Sequence, residues 1–447
     1  MSKPVPVENA VSHQQAKLLI PTSEGEPRAY QIPLVIDIHG NPYLYASNLF
    51  SETGMSILDE GLRSTAISES ALTCIIPSIP SKKGTQGALQ YRGYSVKQLA
   101  TSCSFLETSY LLIFGELPDE AGFQTFSDAV KTHRILDKQT EEMIEGFDKQ
   151  TNPMVILFGT MSSLASRYEG QYDMHSHDDR KELAVRLIAK MPTIAANIFK
   201  HIIGQRPNAP DDSLGHTANF LHMLLSTQAT QASVDPDHIK VLDMILTLHA
   251  DHQMAVSTFV TRAVSSAGTP AISSIAAGIA ALSGPLHGGA NAKVIKMLSD
   301  IQDDGQDVQQ VIDRAKDPED AFKLFGFGHR VYKGMDPRAS VLRELTLNIL
   351  KKESQDNPLL EIASELEEAA LNDPYFIERN LYPNVDFYSG IAMKAIGIPV
   401  ELFTVVFAMS RVSGWLAHIE EHWSHQDGLY RPKQFYTGLK ERPLNWP

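Results

Sequence analysis

Three strings in this 447-residue chain pair a titratable side chain with backbone that a ligand can approach: GPLHGGAN around His287, FGFGHRVYKGMDPRA around His329, and NVDFYSG around Asp386. Glycines and helix starts leave N–H groups free to face a ligand. Two histidines and a carboxylate suit a reaction that takes a proton from beside one carbonyl and polarises a second. Each residue also has an ordinary alternative. His287 follows Pro285 and precedes Gly288-Gly289, so it could merely cap or pack at the start of the helix ANAKVIKML. His329 could be a loop histidine in a Gly-rich turn. Asp386, just before an apolar run, could be a helix N-cap. If His287 does lie at a helix N-terminus, the positive end of the dipole keeps its ring neutral and able to donate one hydrogen bond.

The elements that must hold these groups are mostly helical. From about Val96 the chain reads as helix after helix, in stretches such as KELAVRLIAKMPTIAANIFKHI, PDHIKVLDMILTLHADH and PLLEIASELEEAALND, punctuated by Pro and Gly. No alternation of strands and helices points to a parallel sheet. Two apolar runs flank Gly40-Asn41-Pro42 in LVIDIHGNPYLYAS, which predicts a small hairpin. Residues 1–30 are polar and Pro-containing and read as a flexible segment. The run VSSAGTPAISSIAAGIAALSG is rich in small side chains and predicts a tightly packed helix pair without chemistry of its own.

Composition sets outer limits. A hydrophobic content of 43% and a charged content of 21% are ordinary for a globular protein, and 447 residues favour two domains. A net charge of −14 disfavours nucleic acid and anionic membranes as partners. Anionic substrates would therefore need local Arg and His clusters. The two cysteines, Cys74 and Cys103, fit a reducing compartment and give no disulfide framework. The stretch between Arg262 and Lys293 lacks charge but is broken by Pro270 and Pro285, which disfavours a membrane helix. No secretory, mitochondrial or peroxisomal signal is legible, so a cytoplasmic location is expected.

Taken together, the three strings resemble the active site of citrate synthases, with further similarity over residues 91–438, densest from His249 onward. The resemblance implies an all-α citrate-synthase fold with a minor N-terminal β hairpin. It implies a large domain of residues 31–287 and 391–447 and a smaller one of residues 288–390. It assigns Asp386 as the base for an acyl-CoA α-proton, His287 as donor to the thioester oxygen, and His329 as the group polarising the oxaloacetate ketone. Thioester hydrolysis would then release CoA and citrate or an alkylcitrate. It places oxaloacetate on His252, Arg338, Arg411 and Arg431, and CoA along Lys323, Leu324, Phe325, Gly326, Phe327 and Gly328 with Lys333. It implies a homodimer in which Arg431 acts in trans, with acyl-CoA as a substrate and no cofactor or metal.

One string departs from the family pattern. Where citrate synthases usually read His-Glu followed closely by Asn and Ser, this chain reads His252-Gln253-Met254-Ala255-Val256-Ser257. Gln253, Met254 and Ala255 are therefore acyl-pocket candidates for a chain longer than acetyl. Neutral drift in an ordinary acetyl-CoA enzyme is the alternative. A catalytically silent relative that binds CoA or oxaloacetate is a rival of another class, as is a citrate-cleaving lyase module.

Overall fold

Short polar residues at helix starts set much of the architecture. Ser104 and Glu107 bond reciprocally as a capping box, while Asp119, Asp137, Asn152, Ser176 and Asp235 each cap a helix with a side-chain oxygen. The computed structural model describes residues 11–22, 26–76, 87–227, 234–352 and 358–444. Helix accounts for 54% and strand for 8%, so the expected all-α class holds with two small sheets added.

The chain divides into two units, Met1–Glu69 with Arg431–Pro447, and Ser70–Tyr430. The first contains an antiparallel sheet of β1 (Val11–Ile20), β2 (Arg28–Ile36) and β3 (Pro42–Leu44), followed by the short helix α1 (Leu49–Thr53). Strands β2 and β3 are the expected hairpin, in the register Leu34↔Leu44 and Ile36↔Pro42. Of the segment expected to be flexible, residues 1–10 and 23–25 lie outside the described residues. Its remainder supplies β1, which pairs with β2 from Gln15↔Pro33 to Ile20↔Arg28.

The second unit opens with a sheet that the sequence reading missed: β4 (Thr73–Ile76), β5 (Ala88–Tyr91) and β6 (Tyr94–Ser95). Arg92 (φ 49°) and Gly93 (φ 86°) both adopt left-handed backbone, the conformation of a tight two-residue hairpin turn. Helices follow: α2 (Val96–Ser102), α3 (Phe105–Phe114), α4 (Glu120–Thr132), α5 (Lys138–Glu145), α6 (Pro153–Ala165) and α7 (His177–Ile202). Then come α8 (His216–Leu225), α9 (Pro236–His249), α10 (Val256–Ser265), α11 (Ala271–Leu282), α12 (Ala290–Asp303) and α13 (Val308–Lys316). The last are α14 (Pro337–Lys352), α15 (Pro358–Asn372), α16 (Pro374–Glu378), α17 (Val385–Ala395) and α18 (Phe403–His425).

Helix α18 is the hub of this unit and packs against α3, α7, α9, α10 and α11. Trp415 on it is fully buried. With the turn before it, α18 is apolar and long enough to cross a bilayer, yet 89% of its apolar window is buried in the protein, as in a core helix. Helices α10 and α11 are the expected small-residue pair. At Gly278 a methyl group would collide with Thr261 and press on the Trp415 ring, so glycine is what allows α10, α11 and α18 to meet.

Candidate active site

His287 sits in the turn between α11 and α12, its N–H bonded to the Gly284 carbonyl at 2.9 Å. Its Nε2 receives the backbone N–H of Ser257 at 3.2 Å and lies 2.8 Å from Ser257 Oγ. A backbone N–H can only donate, so Nε2 is the acceptor and the ring proton belongs on Nδ1. Burial, reinforced by Arg411, pushes the ring down to about 4. His287 is thus a neutral donor at neutral pH.

His329 is fixed in the mirror sense. The N–H groups of Val331 and Tyr332 donate to its Nδ1 at 3.1 and 3.2 Å, which leaves the proton on Nε2. Burial and the Arg338 guanidinium push this ring to about 4 as well. Its Nε2 lies 3.5 Å from Arg338 Nη2, too long to outweigh the two shorter backbone bonds in setting the tautomer, so two donors converge on one place.

The loop carrying His329 is pinned to the start of α17. Gly328 N–H donates to the Tyr382 carbonyl (2.8 Å), Asn384 N–H to that of Gly326 (2.8 Å), and Asn384 Nδ2 to that of Gly328 (2.9 Å). Gly326 has φ 84°, and a methyl group there would lie 2.9 Å from both Phe387 and Val294, so it is required twice over. This short ladder fixes His329 relative to Asp386 two positions beyond Asn384. Asn384, not Asp386, caps α17: its side chain accepts the Asp386 N–H at 3.0 Å. The Asp386 carboxylate is left without a hydrogen bond among the described residues, and burial pushes it up to about 6.

Arg338 is 4% exposed at the start of α14, held by both oxygens of Asp336 at 3.1 and 2.9 Å. Asp336 also accepts the backbone N–H of Val385 at 3.1 Å, tying α14 to α17. Arg411 on α18 donates from Nε to the His249 carbonyl (2.7 Å), and its buried Nη1 has no partner among the described residues. His252 Nε2 lies 3.2 Å from Tyr332 Oη, and its ring stands 5.4 Å from that of His329. Burial and then Arg338 hold His252 far below the usual histidine range. Arg411 acts on the charge of Asp386, His252 and His287, and Arg338 on that of Asp386, His252 and His329, so these residues form one electrostatic cluster.

A family model described as citrate synthase, C-terminal domain, matches residues 61–433. The chain belongs to the citrate synthase family. It is 43% identical over 395 residues to citrate synthase 1 of Mycobacterium tuberculosis, covering 88% of this chain and 90% of that one. The fold is similar to citrate synthase from Pyrobaculum aerophilum (TM-score 0.76, 33% identity, 98% and 99% of the two chains covered). It also resembles the enzyme from Thermoplasma acidophilum, solved as a ternary complex with carboxymethyl coenzyme A and oxaloacetate (TM-score 0.77, 29% identity, 87% and 98% covered). This chain is therefore a citrate synthase-type enzyme.

Lys323 is exposed, while Leu324, Phe325 and Phe327 pack against the core. Lys333 is exposed, with Nζ donating to the Arg330 carbonyl at 3.3 Å. Gln253 is in the left-handed region (φ 51°), and its amide donates to the Thr73 carbonyl at 3.3 Å, while Met254 and Ala255 are half-buried before α10. Arg431 belongs to the other unit, where its exposed guanidinium donates from Nη1 to the Pro432 carbonyl at 3.5 Å. Sequence reading missed Ser257, Tyr332, Asp336 and Asn384. Asp336 and Asn384 did carry a signal, since an Asp or Asn one or two residues before a helix start commonly satisfies its N–H groups.

Proposed function

We propose that the protein condenses an acyl-CoA with oxaloacetate and hydrolyses the resulting thioester, releasing CoA and citrate or an alkylcitrate. One observation carries this reading: two neutral histidines with opposite tautomers share the field of Arg338 and Arg411 with a carboxylate that is unpaired among the described residues and pushed up to about 6. Asp386 takes the α-proton, and His287 Nδ1–H bonds the thioester oxygen as the enolate forms. The enolate carbon then attacks the oxaloacetate ketone, whose oxygen gathers charge against His329 Nε2–H. Donors set in advance, in a site poor in water, stabilise both charges without reorganisation. Arg338, Arg411 and His252 hold the oxaloacetate carboxylates, a task suited to planar guanidinium forks. Water finally cleaves the citryl thioester.

The CoA moiety runs along Lys323 to Gly328 and Lys333 in this reading, and residues 288–390 move as the smaller domain that closes the site. Arg431 reaches the active site of a second copy, making the homodimer the working unit. Exposed apolar side chains of its unit, among them Leu44, Phe50, Phe435 and Leu444, support a partner surface there.

Gln253, Met254 and Ala255 make the acyl pocket roomier than an acetyl group needs. The test is oxaloacetate with a series of acyl-CoAs, following CoA release and product mass. Propionyl-CoA or longer should match or exceed acetyl-CoA in kcat/KM, each buried methylene contributing up to about 0.8 kcal/mol. A strong acetyl preference would refute the enlarged pocket, and no CoA release with any acyl-CoA would refute the reaction.

A further inference from the structure

Arg262 lies in the last turn of α10 with no exposed surface, an expensive place for a cation. Nothing in the proposed reaction uses it. Its Nε donates to Tyr430 Oη at 3.0 Å, its Nη1 to Glu421 at 3.0 Å and its Nη2 to Asp427 at 2.9 Å. Its Nη1 also lies 3.3 Å from Nδ1 of His418, a fully buried residue of α18. A guanidinium has no acceptor, so His418 accepts at Nδ1 and carries its proton on Nε2. That Nε2 is 3.3 Å from the Asp251 carboxylate.

Asp251 is fully buried too, and it gathers three donors. They are His418 Nε2–H, the Thr73 hydroxyl at 2.6 Å, and the backbone N–H of Gln253 at 3.1 Å. The last bond closes a turn in which Gln253, not a glycine, adopts φ 51°. Such backbone persists only where its surroundings enforce it. The residue spanned by that turn is His252. Two other features hold the same turn. Tyr91 Oη donates to the Asp251 carbonyl at 2.9 Å, and Gly414 of α18 has no side chain to keep Asp251 away. Glu421, which also binds Arg262, accepts the Ala71 N–H at 2.8 Å and so steadies the start of the strand bearing Thr73.

We propose that Arg262, His418 and Asp251 form a buried positioning relay that holds the His252 turn and so sets oxaloacetate affinity. The arginine selects the histidine tautomer, the histidine orients the carboxylate, and the carboxylate locks the strained turn. None of the three touches substrate, so they position rather than catalyse. The proposal rests on His252 binding oxaloacetate.

The test compares His418→Leu, His418→Gln, Thr73→Val and His252→Ala in steady-state kinetics, each variant checked by its melting temperature. Glutamine can offer its carbonyl to Arg262 and its amide to Asp251, preserving the acceptor–donor order. His418→Leu removes a bond to a charged group, so the oxaloacetate KM should rise about tenfold or more, while the acyl-CoA KM shifts less than about twofold. His418→Gln should restore most of that loss. Thr73→Val should raise the oxaloacetate KM in the same selective way by roughly threefold, and stands in if His418→Leu does not fold. A merely structural role would lower the melting temperature and leave the two KM values alone or move them together. Either outcome overturns the relay, as does a Gln variant no better than Leu. An unchanged oxaloacetate KM in His252→Ala would overturn the underlying assignment. A raised KM there, with His418→Leu unchanged, would overturn the relay alone.

Discussion

If Asp386 is the base, replacing it should make the protein inactive and more stable at once. Burial lifts its folded-state pKa from the ordinary 3.8 to about 6. A carboxylate whose pKa is raised on folding is easier to ionise in the unfolded chain. Stability is therefore lost as pH rises through the window from about 4 to 6, and the loss persists above it. The gap corresponds to roughly 3 kcal/mol at pH 8 and about 1.6 kcal/mol at pH 5. Asp386→Asn keeps the shape but cannot ionise, so it should recover up to those amounts. For 447 residues that is a melting-temperature gain of about 3 °C at pH 8, and about half as much at pH 5. Turnover should fall by about two to four orders of magnitude, the usual worth of a positioned base. In the unsubstituted protein, kcat/KM should decline below pH ~6 as Asp386 takes up a proton. Scanning calorimetry at both pH values, alongside a pH–rate profile, tests this. Near-normal turnover refutes the base. A variant that is inactive but no more stable at pH 8 refutes the claim that the carboxylate is held ionised at a cost.

His329→Ala should slow carbon–carbon bond formation more than α-proton removal, read as deuterium exchange from labelled acyl-CoA outpacing product. Gly326→Ala should destabilise by about 2–4 kcal/mol, because a left-handed Ala is strained and its methyl overpacks Phe387 and Val294, and denaturant midpoints measure this. It should also lower turnover, since the Gly326 carbonyl anchors Asn384 beside the proposed base. Arg431→Ala and Asp386→Asn homodimers should each be nearly inactive, while co-folded heterodimers recover roughly one working site per pair if Arg431 acts in trans. Verified heterodimers with no recovery would return Arg431 to its own subunit's site.

The groups of the proposed chemistry were legible because each lies in a short local pattern. His287 does sit just before α12, His329 in a glycine loop, and Asp386 at the start of α17. Their partners were less legible. Asp336 was hidden in plain view beside Arg338, where sequence shows a carboxylate near a guanidinium but not which way it folds. Strands β4 to β6 have four, four and two residues, too short for alternation to show, and only the Arg92-Gly93 turn marks them. Strand β1 was masked by polar Gln15 and Lys17 in a segment that gains order by pairing with β2. The links from Thr73 to Asp251 and from Asp251 to His418 join residues 178 and 167 positions apart, which no local pattern can announce.

Nor does the sequence say how the charge is divided. Two buried arginines and three histidines in one site would, if all cationic, repel one another at a cost no fold of ordinary stability could bear. Burial and the arginines resolve the conflict by making His252, His287 and His329 neutral. Arg338 shares its charge with Asp336, while Arg411 donates to a backbone carbonyl and keeps an Nη1 that is unpaired among the described residues. Neutral imidazoles have one donor and one acceptor, so direction now matters, and backbone N–H groups set it: Ser257 on Nε2 of His287, Val331 and Tyr332 on Nδ1 of His329. A charged ring would donate from both nitrogens and set Nε2 of His287 against the Ser257 N–H. The arginines thus do two jobs with one charge. In the proposed reaction they attract a dianion, and they suppress protonation of the rings that would supply aimed hydrogen bonds. It follows that removing the charge of Arg411 should raise the pKa of His287, costing the site donor direction as well as affinity.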